Sequence, residues 1–191
     1  YFAHDMAFQE TARALGFGIL GYPNEGNMIL QGSAAPARAA VQTVLNRAAE
    51  VSGHPEIANA PICATGNSAG GYDAGSMAIN WPERTIAFVA FRGSPNAFAF
   101  SDATKKVPGL FVAGSKDSNT STNPYKNRDC FLNWRGQGCQ VAWTVDWLVG
   151  HQIGGNQGWE AAMTWFVEVA NLRWPRPLVP STTPGVLPAL I

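Results

Sequence analysis

The chain has 191 residues with 13 Lys+Arg against 13 Asp+Glu, a formal net charge of zero, 46% hydrophobic residues and only 14% charged ones. Such a balance offers no basic stripe for nucleic acid or an anionic membrane, and no apolar run approaches the roughly 18 residues of a membrane span. The early Asp5 does not suit a signal peptide, so a secretion signal would already have been removed, and the length fits one domain with a substantial core.

Helix and strand patterns alternate along the chain. A helix is expected over about 3–15, ended by Gly16, and a strand over 17–22. A second helix follows at about 36–51, with Pro36 in its first turn and Val41, Val44, Leu45 and Ala48 as its buried stripe. A strand at 61–66 leads into a helix at about 69–81. The run Thr85–Phe91 is apolar throughout, as a strand covered on both faces must be. Residues 109–113, introduced by Pro108 and closed by Gly114, read as another buried strand. A short helix at about 124–134, a strand at 139–146 and a helix at about 156–172 complete the order. The last helix carries Trp159, Ala162, Met163, Phe166, Val167 and Ala170 at helical spacing, a core stripe. Beyond Trp174, the prolines at 175, 177, 180, 184 and 188 exclude helix and central strand. The organisation is therefore a domain over 1–174 and an extended proline-rich tail over 175–191, with no internal repeat.

One segment carries chemistry. Gly66-Asn67-Ser68-Ala69-Gly70 is a G-x-S-x-G motif, set after an apolar run and before small residues that can open a helix. A serine there occupies a sharp strand-to-helix turn that pushes its hydroxyl outward. Small residues two before and two after it suit the close approach of neighbouring backbone. Asp117 lies three residues past Gly114, at the carboxyl end of a strand, where open α/β sheets place ligands. His151 follows another apolar run and is flanked by Gly150, with Gly154 and Gly155 beyond. A serine hydroxyl is a poor nucleophile at its own pKa, so His151 would take its proton while Asp117 fixes the imidazole tautomer.

These pieces, GNSAGG (66–71), GLFVAGSKD (109–117) and WLVGHQ (147–152), resemble the α/β-hydrolase superfamily of serine esterases. Dienelactone-hydrolase, feruloyl-esterase and polyhydroxyalkanoate-depolymerase-like enzymes are the nearest in type. With the helices between them, they span most of the chain from about Ala12 to Trp174. The resemblance implies an α/β fold with a mostly parallel sheet, helices on both faces, and the chain order serine, acid, histidine. It implies that the N–H of Ala69 serves the oxyanion hole, and that no cofactor or metal takes part. Members of this fold begin with several strands before the first helix. Here Tyr1-Phe2-Ala3-His4-Asp5-Met6 already resembles the loop that follows them, so the amino-terminal strands are expected to be missing. An upstream segment of a longer precursor, or a second chain, is then expected to cover the sheet edge.

Other residues have competing readings. His4 and Asp5 either line the substrate pocket or form an exposed amino-terminal pair. His54 sits in a Ser-Gly-His-Pro turn away from the pattern, and Ser76 reads as a helix-packing residue. Asp146 is the alternative acid, but five residues separate it from His151 along the chain, which favours Asp117. Among three cysteines, Cys130 and Cys139 bracket a polar, glycine-containing loop that a disulfide could staple, whereas Cys63 reads as a buried strand residue. Three unrelated thiols remain the alternative. No His/Cys spacing suits zinc. The expectation is a serine esterase using Ser68, His151 and Asp117 on a small or polymeric ester, in an extracellular or periplasmic setting. The alternative is a catalytically impaired hydrolase-fold protein with a binding or assembly role.

Overall fold

The computed structural model describes residues 5–21, 34–152 apart from 94, 96 and 98, and 156–173. In chain order the elements are α1 (Met6–Leu15), α2 (Ala34–Ser52), a 3-10 turn (Pro55–Asn59), β1 (Ile62–Asn67), α3 (Ala69–Asn80), β2 (Thr85–Phe91), α4 (Asp102–Lys105), β3 (Gly109–Gly114), α5 (Pro124–Gly136), β4 (Val141–Asp146) and α6 (Asn156–Arg173). The four strands form one sheet in the order β1-β2-β3-β4, and every pairing is parallel. Each crossover therefore carries a helix, as parallel neighbours require.

Alternation along the strands divides the interior in two. Phe88, Ala90 and Phe111 meet Ala74, Met77 and Ala78 of α3 and Cys130 and Trp134 of α5 on one face. Ile86, Val89, Phe91, Leu110 and Val112 meet Ala162, Phe166 and Val169 of α6 on the other. Trp134 is wholly buried, with Phe88, Phe100 and Phe111 around it at centroid separations of 5.2, 4.3 and 5.7 Å. Its indole N–H donates to the Pro95 carbonyl at 2.8 Å, so the polar end of the ring is satisfied inside the core.

The expected elements from residue 34 onward are present to within a few residues. At the front the outcome differs. Asp5 accepts from Phe8 N at 2.9 Å and caps α1, and it also receives the Trp159 indole N–H at 3.2 Å. It is the N-cap of α1; His4 lies outside the described residues. Gly16 ends α1 with φ of 69°, and Phe17 N reaches back to Ala12 O at 2.7 Å. Residues 17–21 then form no strand; Ile19 and Leu20 stand exposed, and none of the sheet's pairings includes this segment. The apolar pattern alone does not make a strand where no neighbour supplies the ladder. In α2 the buried positions are Ala37, Leu45 and Ala49, an i, i+4 row in which Val41 is half-buried; Val44 and Ala48 lie beside it, partly exposed. The tail at 175–191 lies outside the described residues.

The expected disulfide is absent, since Cys63, Cys130 and Cys139 are all free. The segment taken for a loop between Cys130 and Cys139 is largely helix, because α5 runs on to Gly136. Past that end the chain turns back, and Cys139 N donates to Trp134 O at 3.0 Å. Both thiols are instead packed in the apolar cluster around Trp134. Cys130 Sγ donates to Pro95 O at 2.9 Å.

Candidate active site

Ser68, Asp117 and His151 lie on three different connections, each just past the carboxyl end of a strand: β1, β3 and β4. Ser68 has φ 56° and ψ −118°, the strained turn expected between strand and helix. Glycine is obligatory at position 66, because a Cβ there would lie 2.3 Å from the Gly70 carbonyl oxygen. On the far side of the turn the crowding falls at Gly71 rather than Gly70: a Cβ at 71 would meet Phe91 O at 2.7 Å, and one at 70 meets nothing. Ser68 N donates to Phe91 O at 2.9 Å, which fixes the turn to the end of β2.

The three side chains form one hydrogen-bonded line. Ser68 Oγ lies 2.9 Å from His151 Nε2, and His151 Nδ1 lies 2.9 Å from Asp117 Oδ2. With the proton on Nδ1, the ring donates to the carboxylate and its Nε2 lone pair faces the serine hydroxyl. Burial acts to raise the pKa of Asp117, but the bonds from His151, Asn119 N and Thr122 outweigh it and hold the carboxyl below its ordinary value of 3.8. Asp117 is buried, while the His151 side chain is about one-third exposed, at 35%. A buried carboxylate thus lies beneath a solvent-reachable imidazole.

Thr122, which no motif in the sequence singled out, is part of the same cluster. Its hydroxyl donates to Asp117 Oδ2 at 2.9 Å and lies 3.0 Å from His151 Nδ1. The other carboxylate oxygen accepts from Asn119 N at 2.9 Å, so the acid loop wraps its own side chain. Asn67 donates to the His151 carbonyl at 3.3 Å. Asp146 does not approach the imidazole; it is buried against Arg92, with Nη2 to Oδ2 at 2.7 Å. Ala69 is the first residue of α3, so its N–H is one of those that a helix leaves without an intrahelical acceptor, at the positive end of the dipole.

Solved structures with this architecture can now be compared. The crystal structure of Arabidopsis thaliana SOBER1 superposes with a TM-score of 0.55 at 17% identity, covering 72% of this chain and 65% of that one. The Bacillus cereus carboxylesterase gives 0.55 at 16%, covering 71% and 61%. Esterase PE8 gives 0.51 at 19%, again covering 71% and 61%. The chain has the α/β-hydrolase fold. It spans 61–65% of the length of these three structures. No family model and no curated protein matches its sequence.

Within this hydrolase fold, backbone strain is concentrated around the site. Among the described residues, the non-glycine residues with positive φ are Ser68, Arg92 and Leu148, at 56°, 44° and 64°. They follow β1, β2 and β4 respectively, which places all three at the carboxyl-end rim of the sheet, beside Ser68 and His151. His54 instead pairs with Glu56 in an exposed turn, and Ser76 is buried in α3. No cluster of His, Cys, Asp and Glu suited to a metal occurs among the described residues, and none of their helices is long and apolar enough to cross a membrane.

Proposed function

We propose that the protein is a serine hydrolase that cleaves carboxylic esters through an acyl-enzyme on Ser68. The observation that carries this reading is the unbroken line from Asp117 Oδ2 through the His151 ring to Ser68 Oγ, with both contacts at 2.9 Å. The presence of an esterase and a carboxylesterase among the structural neighbours supports ester as the bond attacked.

In this reading Ser68 Oγ attacks the ester carbonyl carbon as its proton passes to His151 Nε2. The carbonyl π bond opens, and the Ala69 N–H faces the oxyanion from the helix start. Asp117 stays ionised and stabilises the imidazolium. Collapse of the tetrahedral adduct breaks the C–O bond to the alcohol, which leaves with the proton from Nε2. Water, deprotonated by the same nitrogen, then attacks the acyl carbon; the C–Oγ bond breaks, Ser68 Oγ takes the proton back from Nε2, and the acid is released. Hydrolysis of a short p-nitrophenyl ester by the wild-type chain, lost on Ser68→Ala, tests this. Equal turnover by both proteins would refute it.

A further inference from the structure

Arg92 is the first residue after β2, yet its side chain serves the far edge of the sheet. From there it crosses the end of β3 to Asp146, the last residue of β4, at 2.7 Å, while its Nε donates to the Gly150 carbonyl at 3.1 Å. The crossing needs a glycine beneath it. A Cβ at position 114 would lie 3.1 Å from Arg92 Nε and 2.4 Å from Gly150 O. Gly150 immediately precedes His151. On its own strand, Arg92 follows Phe91, whose carbonyl accepts the Ser68 N–H, and precedes Gly93, whose backbone lies against Ser68 and Gly71. One side chain thus connects the serine turn to the histidine loop.

The same residue carries several costs that stability alone would not retain. Its side chain is 1% exposed and its backbone is left-handed at φ 44°. Its Nη1 has no hydrogen-bond partner among the described residues. A buried ion pair is often no more stabilising than an apolar pair of similar volume.

We infer that Arg92 is the positioning residue that holds the His151 loop at hydrogen-bonding reach of Ser68. The inference rests on the triad reading above, and it assigns the reach of the base to a group that touches no substrate. Lysine keeps the charge but presents a single nitrogen, so it cannot hold Asp146 and Gly150 O at once in the same geometry.

The experiment compares Arg92→Lys, Asp146→Asn and Val107→Ala with wild type, each confirmed folded by circular dichroism. Val107 is wholly buried in the cluster around Trp134 and has no part in the site, so it controls for a general loss of stability. Arg92→Lys and Asp146→Asn are expected to lower kcat about 10- to 100-fold with KM within about twofold, since a small misplacement of a catalytic group costs that much. Val107→Ala is expected to keep wild-type kcat at a temperature where it is folded. Solvent exchange of the His151 Nδ1 proton, followed by NMR, is expected to quicken in Arg92→Lys but not in Val107→Ala. Folded Arg92→Lys with wild-type kcat and exchange would overturn the inference. A wild-type chain inert towards esters would instead sink the hydrolase reading, and the proton exchange would still decide the role of Arg92.

Discussion

Thr122 donates its hydroxyl to Asp117 Oδ2 at 2.9 Å, the same oxygen that accepts from the His151 ring. A buried carboxylate oxygen shared in this way has its direction set by two donors, so the imidazole meets a fixed acceptor. Asp117 would keep its charge without the threonine but lose part of its orientation. Thr122→Val, close in shape and without the hydroxyl, is expected to lower kcat about tenfold and leave KM within about twofold. Steady-state kinetics on a p-nitrophenyl ester would measure this, and an unchanged kcat would mean that the bond is incidental.

Removing the acid itself has a larger effect. Asp117→Asn should reduce turnover by roughly 10³ to 10⁴, because the amide favours the wrong histidine tautomer. Asp146→Asn should cost far less, as that carboxylate meets Arg92 and not the imidazole. The reverse ranking would reassign the acid.

Asp117 also gives the fold a pH signature. Its carboxyl is held below the ordinary value of 3.8, against burial, by bonds from His151, Asn119 and Thr122. A depressed folded pKa contributes stability that is complete above the unfolded value and is lost as pH falls through the folded one. The stability difference between wild type and Asp117→Asn should therefore be widest near neutrality and narrow below about pH 4. Urea unfolding at several pH values would show it; a gap that widens in acid would contradict the assignment.

The cysteines supply an independent check. Burial pushes Cys63 and Cys130 up to about 12 and Cys139 up to about 11. The native thiols should react with iodoacetamide at least about 10²-fold more slowly than an ordinary cysteine, because the thiolate is the nucleophile. Three thiols should be titrated after denaturation without reductant. A count of one would restore the disulfide between Cys130 and Cys139.

What the sequence revealed and what it hid follow from the range of the interactions. Ser68 was legible because its turn depends on neighbours within a few residues, as Gly66 against Gly70 illustrates. Asp117 and His151 were legible because each ends an apolar strand in a recognisable order. Thr122 left no such mark, since it reaches His151 across 29 residues through a loop with no periodicity. Arg92 was hidden for the same reason, its partner lying 54 residues on. The strand expected at 17–22 failed because a hydrophobic run records burial preference and says nothing about pairing. The disulfide expectation failed because closeness in sequence carries no side-chain geometry: α5 runs on to Gly136, and both cysteines sit as free thiols in the apolar cluster around Trp134.

The central claim is that the Ser68 hydroxyl is the nucleophile activated by His151. Its most direct test is labelling with a fluorophosphonate followed by peptide mapping of the adduct. The account predicts one adduct, on Ser68, that disappears in Ser68→Ala and forms orders of magnitude more slowly in His151→Ala. An adduct on another serine, or equal labelling of the Ser68→Ala protein, would contradict it.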